Sequence, residues 1–229
     1  MRLNCIIKLG GSLLYDFEKT KSLLDNLVLE SKGNFAITVG SGKLGELYKE
    51  FIGSNQIPFN DSVRDYSNLQ SINASVLASL NSNYIVCENK ESVFNALVEG
   101  RVPILDSRGF MDVFKDDIYQ KGDVRAANLC KYFNCNNLII VTNVNGIYDK
   151  DPNISENSHI IRRITSCELK KMGRTSVDEG LAERIEDYNL TCYILGVDNL
   201  VRNNGNINKE MLESGTVIEI GEKVYEKKN

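Results

Sequence analysis

Short runs of apolar residues alternate along this chain with longer segments in which apolar residues recur every three or four positions. The runs are typical of strands buried on both faces of a sheet, and the longer segments are typical of amphipathic helices. Strands that alternate with such helices favour parallel pairing through crossover connections, so the pattern predicts an α/β fold. The predicted strands are residues 3–9, 35–39, 84–87, 102–105, 137–142, 191–195 and 216–220, and the predicted helices are residues 17–29, 44–52, 66–80, 91–98, 124–133, 178–188 and 207–212.

The composition is that of one globular unit, although two lobes are also compatible with it. A chain of 229 residues with 42% hydrophobic and 25% charged residues can bury a full core without disulfides. Its 27 basic and 31 acidic residues argue against nucleic acid or a membrane surface as a partner, because such proteins carry a basic excess. No apolar run approaches the roughly 18 residues that span a bilayer, and the N-terminus has no signal-peptide pattern, so we expect a cytoplasmic protein.

Six cysteines are scattered along the chain, and several of them lie inside apolar runs. They form no CxxC pair, and the only histidine, His159, adds little to a metal site. We therefore expect reduced cysteines in the core and no metal held by the protein itself.

The segment KLGGS, residues 8–12, follows the first predicted strand. Gly10 and Gly11 would let the backbone approach an anion closely and take positive φ, and the N–H groups up to Ser12 would hold phosphate oxygens. Lys8 at the strand end would supply a positive charge to a transferring phosphoryl group. An ordinary turn between a strand and a helix would leave the same pattern.

A second glycine loop, GSGKLG at residues 40–45, follows the strand predicted at residues 35–39. With Gly40, Gly42 and a downstream carboxylate at Asp61 or Asp65, it fits the dinucleotide-binding fingerprint, and taken alone it favours a dehydrogenase. It lacks the full GxxxxGK[ST] pattern of P-loop kinases. A glycine turn that only closes the corner between strand and helix is the structural alternative.

The segment TNVNGIYDKDP, residues 142–152, follows the strand predicted at residues 137–142. Tyr148 would stack on a purine, Thr142 would bond an acceptor atom and Asp151 would bond ribose hydroxyls. The pairs Asn145-Gly146 and Asp151-Pro152 are also ordinary turn chemistry. Because the carboxyl ends of parallel strands meet at one edge, the three loops together suggest one shared cleft.

Two further polar positions lie at predicted helix starts. Asp123 precedes the helix predicted from residue 124 and is either its N-cap or a carboxylate that orients groups around a phosphoryl. Ser176 and Glu179 have the spacing of a capping box for the helix predicted from residue 178.

At these residues the chain resembles the amino acid kinase family, which includes archaeal-type uridylate kinases, acetylglutamate kinases and isopentenyl phosphate kinases. KLGGS looks like the family's phosphate loop, GSGKLG like its acceptor-side glycine loop and TNVNGIYDKDP like its nucleotide loop. The resemblance implies one domain over residues 1–229, a three-layer αβα sandwich with a mainly parallel sheet. It also implies an acceptor-binding half at about residues 1–135, a nucleotide-binding half at about 136–229, ATP with Mg²⁺, a small-molecule phosphoryl acceptor and a homo-oligomer, either dimer or hexamer.

The resemblance also implies roles for individual residues in a direct in-line transfer. Lys8 and Asp123 would be the catalytic residues. The phosphates would be lined by Gly10, Gly11, Ser12, Gly40, Ser41 and Gly42, the nucleotide would be held by Thr142, Asn143, Tyr148, Lys150 and Asp151, and the acceptor would be met by Glu46, Asp65 and Gly122.

The pattern is most similar to the archaeal-type uridylate kinases, in GKL, in the KDP ending and in TSVDEGLAERI, which predicts UMP as the acceptor. It departs from them at three positions, with Glu46 for an arginine, Ser41 for a glycine and Asn145 for an aspartate. In addition, DDIYQKGD replaces a threonine-rich acceptor loop. A carboxylate about 4 Å from a phosphate would cost about 1 to 4 kcal/mol, depending on the local dielectric. If Glu46 faces the acceptor, an alcohol or amino alcohol fits better than UMP. If Glu46 faces solvent, or if Arg64 or Arg125 supplies the charge, UMP fits.

Other acceptors and other classes of protein are weaker alternatives. Isopentenyl phosphate is disfavoured because the glycine loop lacks the expected histidine, and acylphosphate formation is disfavoured because MGRTSVD occupies the region of a second lysine. A dehydrogenase would leave KLGGS and TNVNGIYDKDP unexplained. A nucleotide-binding regulatory protein without turnover would fit the departures at Glu46 and Asn145.

Overall fold

A central sheet organises the computed structural model, which describes residues 2–29, 34–55, 62–114, 121–152, 154–172 and 175–221. The strands of the described residues, which include those of two small separate sheets, are β1 (Cys5–Leu9), β2 (Val28–Leu29), β3 (Phe35–Val39), β4 (Tyr84–Cys87), β5 (Val102–Leu105), β6 (Asn137–Thr142), β7 (Ile147–Tyr148), β8 (Ile160–Ile161), β9 (Arg163–Thr165), β10 (Thr191–Gly196), β11 (Asn206–Ile207) and β12 (Thr216–Glu219). Its helices are α1 (Phe17–Asn26), α2 (Gly42–Ser54), α3 (Ser62–Leu80), α4 (Lys90–Val98), α5 (Met111–Phe114), α6 (Gly122–Phe133), α7 (Ser166–Met172), α8 (Leu181–Tyr188), α9 (Val197–Arg202) and α10 (Lys209–Ser214), and a 3-10 helix spans Gly11–Tyr15.

Eight strands form one sheet in the order β4-β5-β3-β1-β6-β10-β12-β9. The first six run parallel, and β12 reverses the direction by pairing antiparallel with β10. The prediction of a mainly parallel sheet is confirmed, and all the predicted strands are present. Parallel strands need both faces covered, which is why their sequences read as continuous apolar runs.

Helices cover both faces of the sheet. Alternate residues of β1 point to opposite sides, with Ile6 in the apolar cluster that contains Ala126 of α6 and Ile7 in the cluster that contains Leu77 of α3. The first cluster also includes residues of α4 and α8, and the second includes residues of α1, α9 and α10. The predicted three-layer αβα sandwich is therefore confirmed, and Lys8 shares the α6 face with Ile6.

Helix ends differ from the prediction where tertiary pairing intervenes. Helix α1 stops at Asn26 rather than residue 29, because Val28–Leu29 pair in parallel with Asn206–Ile207 as a separate two-stranded sheet. Because Ile207 belongs to this strand pair, the helix predicted at residues 207–212 begins later, and α10 starts at Lys209. Helices α2, α3 and α6 begin earlier than predicted, and α5, α7 and α9 were missed because helices this short show little periodicity.

The capping box predicted for Ser176 and Glu179 is wrong. Helix α8 begins at Leu181, after Gly180, whose φ of 90° cannot continue a right-handed helix. The Ser176 hydroxyl instead donates a hydrogen bond to the carbonyl of Gly146, at 3.2 Å. The residues before α8 therefore face the nucleotide loop rather than the helix end.

The cysteines behave as predicted. All six are free thiols, five of them buried and Cys167 partly exposed. Across the described ranges, no helix has the combination of length and apolar content needed to cross a membrane.

Candidate active site

The strand order brings the three predicted loops together. Because β1 lies between β3 and β6, the loops that follow these strands leave the same edge of the sheet side by side. The amide of Gly10 donates to the carbonyl of Val141 at 2.9 Å, and Gly40 donates to Leu9 at 3.0 Å. Asn143 joins the nucleotide loop to the phosphate loop, since its Nδ2 donates to Ser12 Oγ at 3.1 Å.

The two glycine loops touch along their backbones. A Cβ built on Gly11 would lie 2.2 Å from the amide nitrogen of Gly42, so only glycine fits there. Gly42 takes a φ of +55°, and a Cβ on it would lie 2.4 Å from the Gly11 carbonyl oxygen. The expectation of positive φ at Gly10 and Gly11 is wrong: φ of Gly10 is −57°, and Gly11 is absent from the positive-φ residues of the described chain. In the first loop, Gly11 is needed because another backbone approaches it closely. In the second loop, Gly42 is needed for the close approach and for its positive φ.

Helix α3 holds the second glycine loop in place. The buried Asn73 side chain donates from Nδ2 to the carbonyls of Gly40 and Ser41, at 2.8 and 3.1 Å. The Ser41 hydroxyl packs on the first turn of α2, where a Cβ on Gly45 would lie 2.2 Å from it. With these carbonyls bound, the loop is fixed before any ligand arrives. No local pattern singles out Asn73, which lies 33 positions from Gly40.

Lys8 and Asp123 form an ion pair beneath these loops. Lys8 Nζ lies 2.8 Å from Asp123 Oδ1. Asp123 is 3% exposed. The lysine passes between Gly40 and Gly122, since a Cβ on either glycine would lie 3.7 or 3.6 Å from Lys8 Cε. The N-cap interpretation of Asp123 is wrong, because Lys121 holds that position and Asp123 lies within the first turn of α6.

Asp178 is a third charged residue at this point, and it was missing from the predicted site. The amide of Asp123 donates to Asp178 Oδ2 at 2.9 Å, and the amide of Asp178 donates to Asp123 Oδ2 at 2.9 Å. Its segment, TSVDEGLAERI, drew attention for its family likeness and for the capping box predicted at Ser176 and Glu179, not for Asp178 itself. A polar residue ahead of an apolar helix is ordinary capping chemistry, which hid its role.

Burial and neighbouring charge shift the pKa of two of these groups. Burial alone would lower the pKa of the Lys8 ammonium, but the carboxylates of Asp123 and, less strongly, Asp178 outweigh burial and raise it. The pKa of Asp178 is raised, first by burial and second by the negative charge of Asp123. The cluster thus favours the charged form of Lys8 and the protonated form of Asp178.

Asp178→Asn is expected to be more stable than the parent at pH 7. A carboxyl whose pKa is raised by folding binds protons more readily in the folded state, so stability falls as pH rises through the window above the ordinary value of about 3.9. The amide removes this cost, and the gain should vanish near pH 3, where the parental carboxyl is protonated in both states. Thermal unfolding followed by circular dichroism from pH 3 to pH 8 measures it. A parent more stable than the variant at pH 7 would show that the attraction between Asp178 and Lys8 outweighs the cost of burying the Asp178 carboxylate. The control is Asp187→Asn, which removes a carboxylate on the exposed side of α8.

The nucleotide loop lines a cavity of about 480 Å³. The small β7–β8 hairpin presents Tyr148 to it, and the walls include Thr142, Lys150, Asp151 and Ser176. Of the predicted nucleotide residues, Asn143 alone is outside these walls, because it bonds Ser12 instead. A neighbouring cavity of about 730 Å³ shares Thr175 and Ser176 and adds Lys121, Asp178 and Glu179. Asn145 packs against Gly196, where a Cβ would lie 1.9 Å from its Oδ1.

The predicted acceptor residues lie on α2, α3 and α6. Glu46 is exposed on α2, one position after the buried Gly45. Asp65 accepts a short hydrogen bond from the Tyr48 hydroxyl, and the ring of Tyr48 meets that of Tyr66 edge-on at 5.4 Å. Gly122 begins α6 beside Lys8. Asp61 and residues 116–120 of the DDIYQKGD segment lie outside the described residues.

Arg125 is turned into the protein rather than toward solvent. Its Nη1 donates to Ser67 Oγ at 3.0 Å and to Gln70 Oε1 at 2.9 Å, and its guanidinium lies over the Phe114 ring at 5.0 Å. Burial lowers its pKa to about 10. Arg64, the other arginine considered as a substitute charge, is exposed on α3.

Residues 4–196 match the model of the amino acid kinase family. The chain belongs to this family. Within the family it is similar to the uridylate kinase of Thermococcus kodakarensis, at 25% identity over 213 residues that cover 85% of this chain and 90% of the relative. It is also similar to the uridylate kinase of Methanocaldococcus jannaschii, at 26% identity over 206 residues, with 80% and 85% covered.

Solved structures of amino acid kinase type have the same fold. The uridylate kinase of Archaeoglobus fulgidus aligns with a TM-score of 0.67 at 20% identity and covers 94% of this chain and all of its own. The aspartate kinase of Synechocystis aligns with a TM-score of 0.70 at 14% identity, over 95% of this chain and 40% of its own. Family membership confirms the predicted phosphotransferase class and counts against the dehydrogenase that GSGKLG alone would favour.

Proposed function

We propose that this protein is a kinase that transfers the γ-phosphoryl group of ATP to UMP. The observation that carries the proposal is the buried Lys8–Asp123 ion pair, which lies where the two glycine loops meet. The uridylate kinase relatives, near 25% identity over most of the chain, support UMP as the acceptor. In this proposal the half up to about residue 135 binds the acceptor and the half from about residue 136 binds the nucleotide.

The chain's own residues would act by position and charge. The amides of Gly10, Gly11 and Ser12, with those of Gly40, Ser41 and Gly42, would hold phosphate oxygens at the junction of the loops. Lys8 would offset the negative charge that spreads over the transferring group, and Asp123 would hold the ammonium in place. The rate then comes from fixing donor and acceptor in line, without a covalent intermediate on the protein.

Magnesium fits this site as a companion of the nucleotide. Within the described ranges, no three His, Cys, Asp or Glu side chains cluster as metal ligands. Mg²⁺ binds phosphate oxygens and keeps several waters, so it would come with ATP and neutralise the charge of the phosphates.

ATP would be held in the cavity of about 480 Å³ beside the phosphate loop, which is lined by Thr142, Tyr148, Lys150 and Asp151. Asn143 would act from a different position, because it bonds Ser12. Asp65 and Gly122 would face the acceptor, with Asp65 oriented by the Tyr48 hydroxyl.

An alcohol or amino alcohol is the second candidate acceptor. The observation in its favour is Glu46, a negative charge on the first turns of α2 close to the second glycine loop. Its exposure favours UMP instead, because water screens a carboxylate on an open helix face.

Magnesium-dependent turnover of ATP to ADP across a panel of acceptors tests the proposal. The panel contains UMP, CMP, isopentenyl phosphate, acetylglutamate, and several alcohols and amino alcohols, and we expect strong stimulation by UMP alone. The control variant Glu46→Gln should keep kcat/KM for UMP within about threefold, as expected for an exposed charge. Turnover with an alcohol but not with UMP would replace UMP by the second candidate. ATP binding without turnover on any acceptor would point to a regulatory protein.

The proposal includes a homo-oligomer in the cytoplasm. Large apolar side chains are exposed on the adjacent helices α2 and α3, at Leu47, Phe51, Ile72 and Val76. From Tyr66 to Cys87 the sequence contains no charged residue, so the α3 part of this face would meet a second copy without like-charge repulsion. Light scattering that gave the mass of a single chain would contradict this part.

A further inference from the structure

We propose that Asp178 is a positioning residue for phosphoryl transfer, which fixes the Asp123 carboxylate against Lys8 and ties it to the wall of the nucleotide cleft. The inference deepens the proposed function and rests on it. Asp178 makes no direct contact with Lys8 that would give it the role of a second ion-pair partner, and its part is to hold Asp123.

The two aspartates form a reciprocal clamp. Each backbone amide donates to the side-chain Oδ2 of the other residue, both at 2.9 Å. The amide of Asp123 is in the first turn of α6, where N–H groups have no partner within the helix. Asp178 therefore caps α6 from outside, although it lies 55 positions further along the chain.

The clamp uses the two oxygens of Asp123 for different purposes. Oδ1 faces Lys8 Nζ at 2.8 Å, whereas Oδ2 accepts the amide of Asp178. Rotation of the Asp123 side chain would break both contacts at once. A displacement of about 1 Å in a group that positions the reacting atoms costs about 100-fold in rate, so this constraint has catalytic weight.

The clamp also reaches the nucleotide loop. Asp178 belongs to the segment from Thr175 to Gly180, which walls the larger cavity, and Thr175 and Ser176 line the smaller cavity as well. Ser176 donates from its hydroxyl to the carbonyl of Gly146, inside TNVNGIYDKDP. A continuous path of hydrogen bonds and backbone therefore links the nucleotide loop to Asp123.

The role of Asp178 requires an oxygen acceptor rather than a negative charge. An asparagine at position 178 keeps Oδ1 to accept the amide of Asp123, whereas an alanine removes the acceptor. The charges that face Asp178, namely Asp123, Lys8 and Lys121, are otherwise unchanged in the two variants. The pair therefore separates hydrogen bonding from charge.

Steady-state kinetics with ATP and UMP should show this difference. We expect Asp178→Asn to keep kcat within about threefold of the parent and Asp178→Ala to lower kcat by about 100-fold, with KM for ATP changed less than about threefold in both. Asp187→Ala removes an exposed carboxylate from α8 and should match the parent. Near-parental kcat in Asp178→Ala, or equal losses in the alanine and asparagine variants, would overturn the inference.

Hydrogen exchange provides a readout that needs no acceptor. The amide of Asp123 should exchange faster in Asp178→Ala than in the parent and stay protected in Asp178→Asn. If the parent shows no turnover with any acceptor, the proposed function fails, while the exchange rates still decide whether the clamp exists. Unchanged protection of the Asp123 amide in Asp178→Ala would show that Asp178 does not hold Asp123. If the alanine variant does not fold, Asp178→Ser, whose hydroxyl is too short to reach, takes its place with the same expectations.

Discussion

Lys8→Ala is expected to lower kcat by about 100- to 1000-fold and to change KM for ATP little. The ammonium lies in a largely enclosed site, with its side chain 14% exposed, where a preorganised charge stabilises a transition state far more than it would in water. Its effect grows as charge spreads over the transferring phosphoryl, so the loss should fall on kcat. Steady-state kinetics with ATP and UMP measure it, and Lys19→Ala, which removes a lysine from exposed ion pairs with Asp16 and Asp198, is the control.

A double variant separates activity from stability. Lys8→Ala leaves the Asp123 carboxylate buried without its cation, and an uncompensated buried charge costs about 3 to 5 kcal/mol of folding free energy. Adding Asp123→Asn removes that charge, so the double variant should recover most of the stability and none of the rate. Recovered turnover, or near-parental turnover in Lys8→Ala alone, would contradict the assigned role of Lys8.

Gly11→Ala is expected to abolish transfer and to destabilise the fold. Its Cβ would lie 2.2 Å from the amide nitrogen of Gly42 and 2.5 Å from the carbonyl oxygen of Gly40, and both are backbone atoms that cannot turn aside. The loops must separate, which displaces the amides proposed to bind phosphate by about an ångström or more and costs at least about 100-fold in kcat/KM. Strain of this kind also costs about 1 to 3 kcal/mol in stability.

Gly53→Ala is the matched control, because it makes the same substitution in a glycine of α2 with nothing within 4 Å of the new Cβ. It should keep full activity and gain up to about 1 kcal/mol, as expected for alanine in place of glycine in a helix. Urea unfolding and ATP turnover on both variants test the pair. Parental activity in Gly11→Ala would mean that the loops do not need their close contact.

The strands and the loops that follow them were predictable because both signals are local. Runs such as residues 138–141 are apolar throughout, as strands covered on both faces must be, and the polar loops begin where the runs stop. Residues such as Lys8 and Asp123 could be singled out by residue type and position relative to an element. The resemblance of the chain to a known family then assigned residues that lie far apart in sequence to one predicted site.

What the sequence did not reveal is contact between distant segments. The bond between Asp123 and Asp178 spans 55 positions, and that between Asn73 and Gly40 spans 33, so no local pattern marks them. Val28–Leu29 form a strand only because Asn206–Ile207 lie beside them, since two residues carry no period. The pair Gly10 and Gly11 was expected to take positive φ, yet a glycine pattern cannot tell a backbone that must turn from one that must be approached.

The backbone contact between Gly11 and Gly42 fixes the distance between the two glycine loops. No side chain separates the two loops at this contact, so in the proposed reaction a substitution elsewhere would not change the distance between donor and acceptor by a small amount. In the proposed function, a new acceptor would therefore be accommodated on the outer turns of α2 and α3 rather than between the glycine loops. In the proposed function, the geometry of transfer would therefore stay fixed while the surroundings of the acceptor varied.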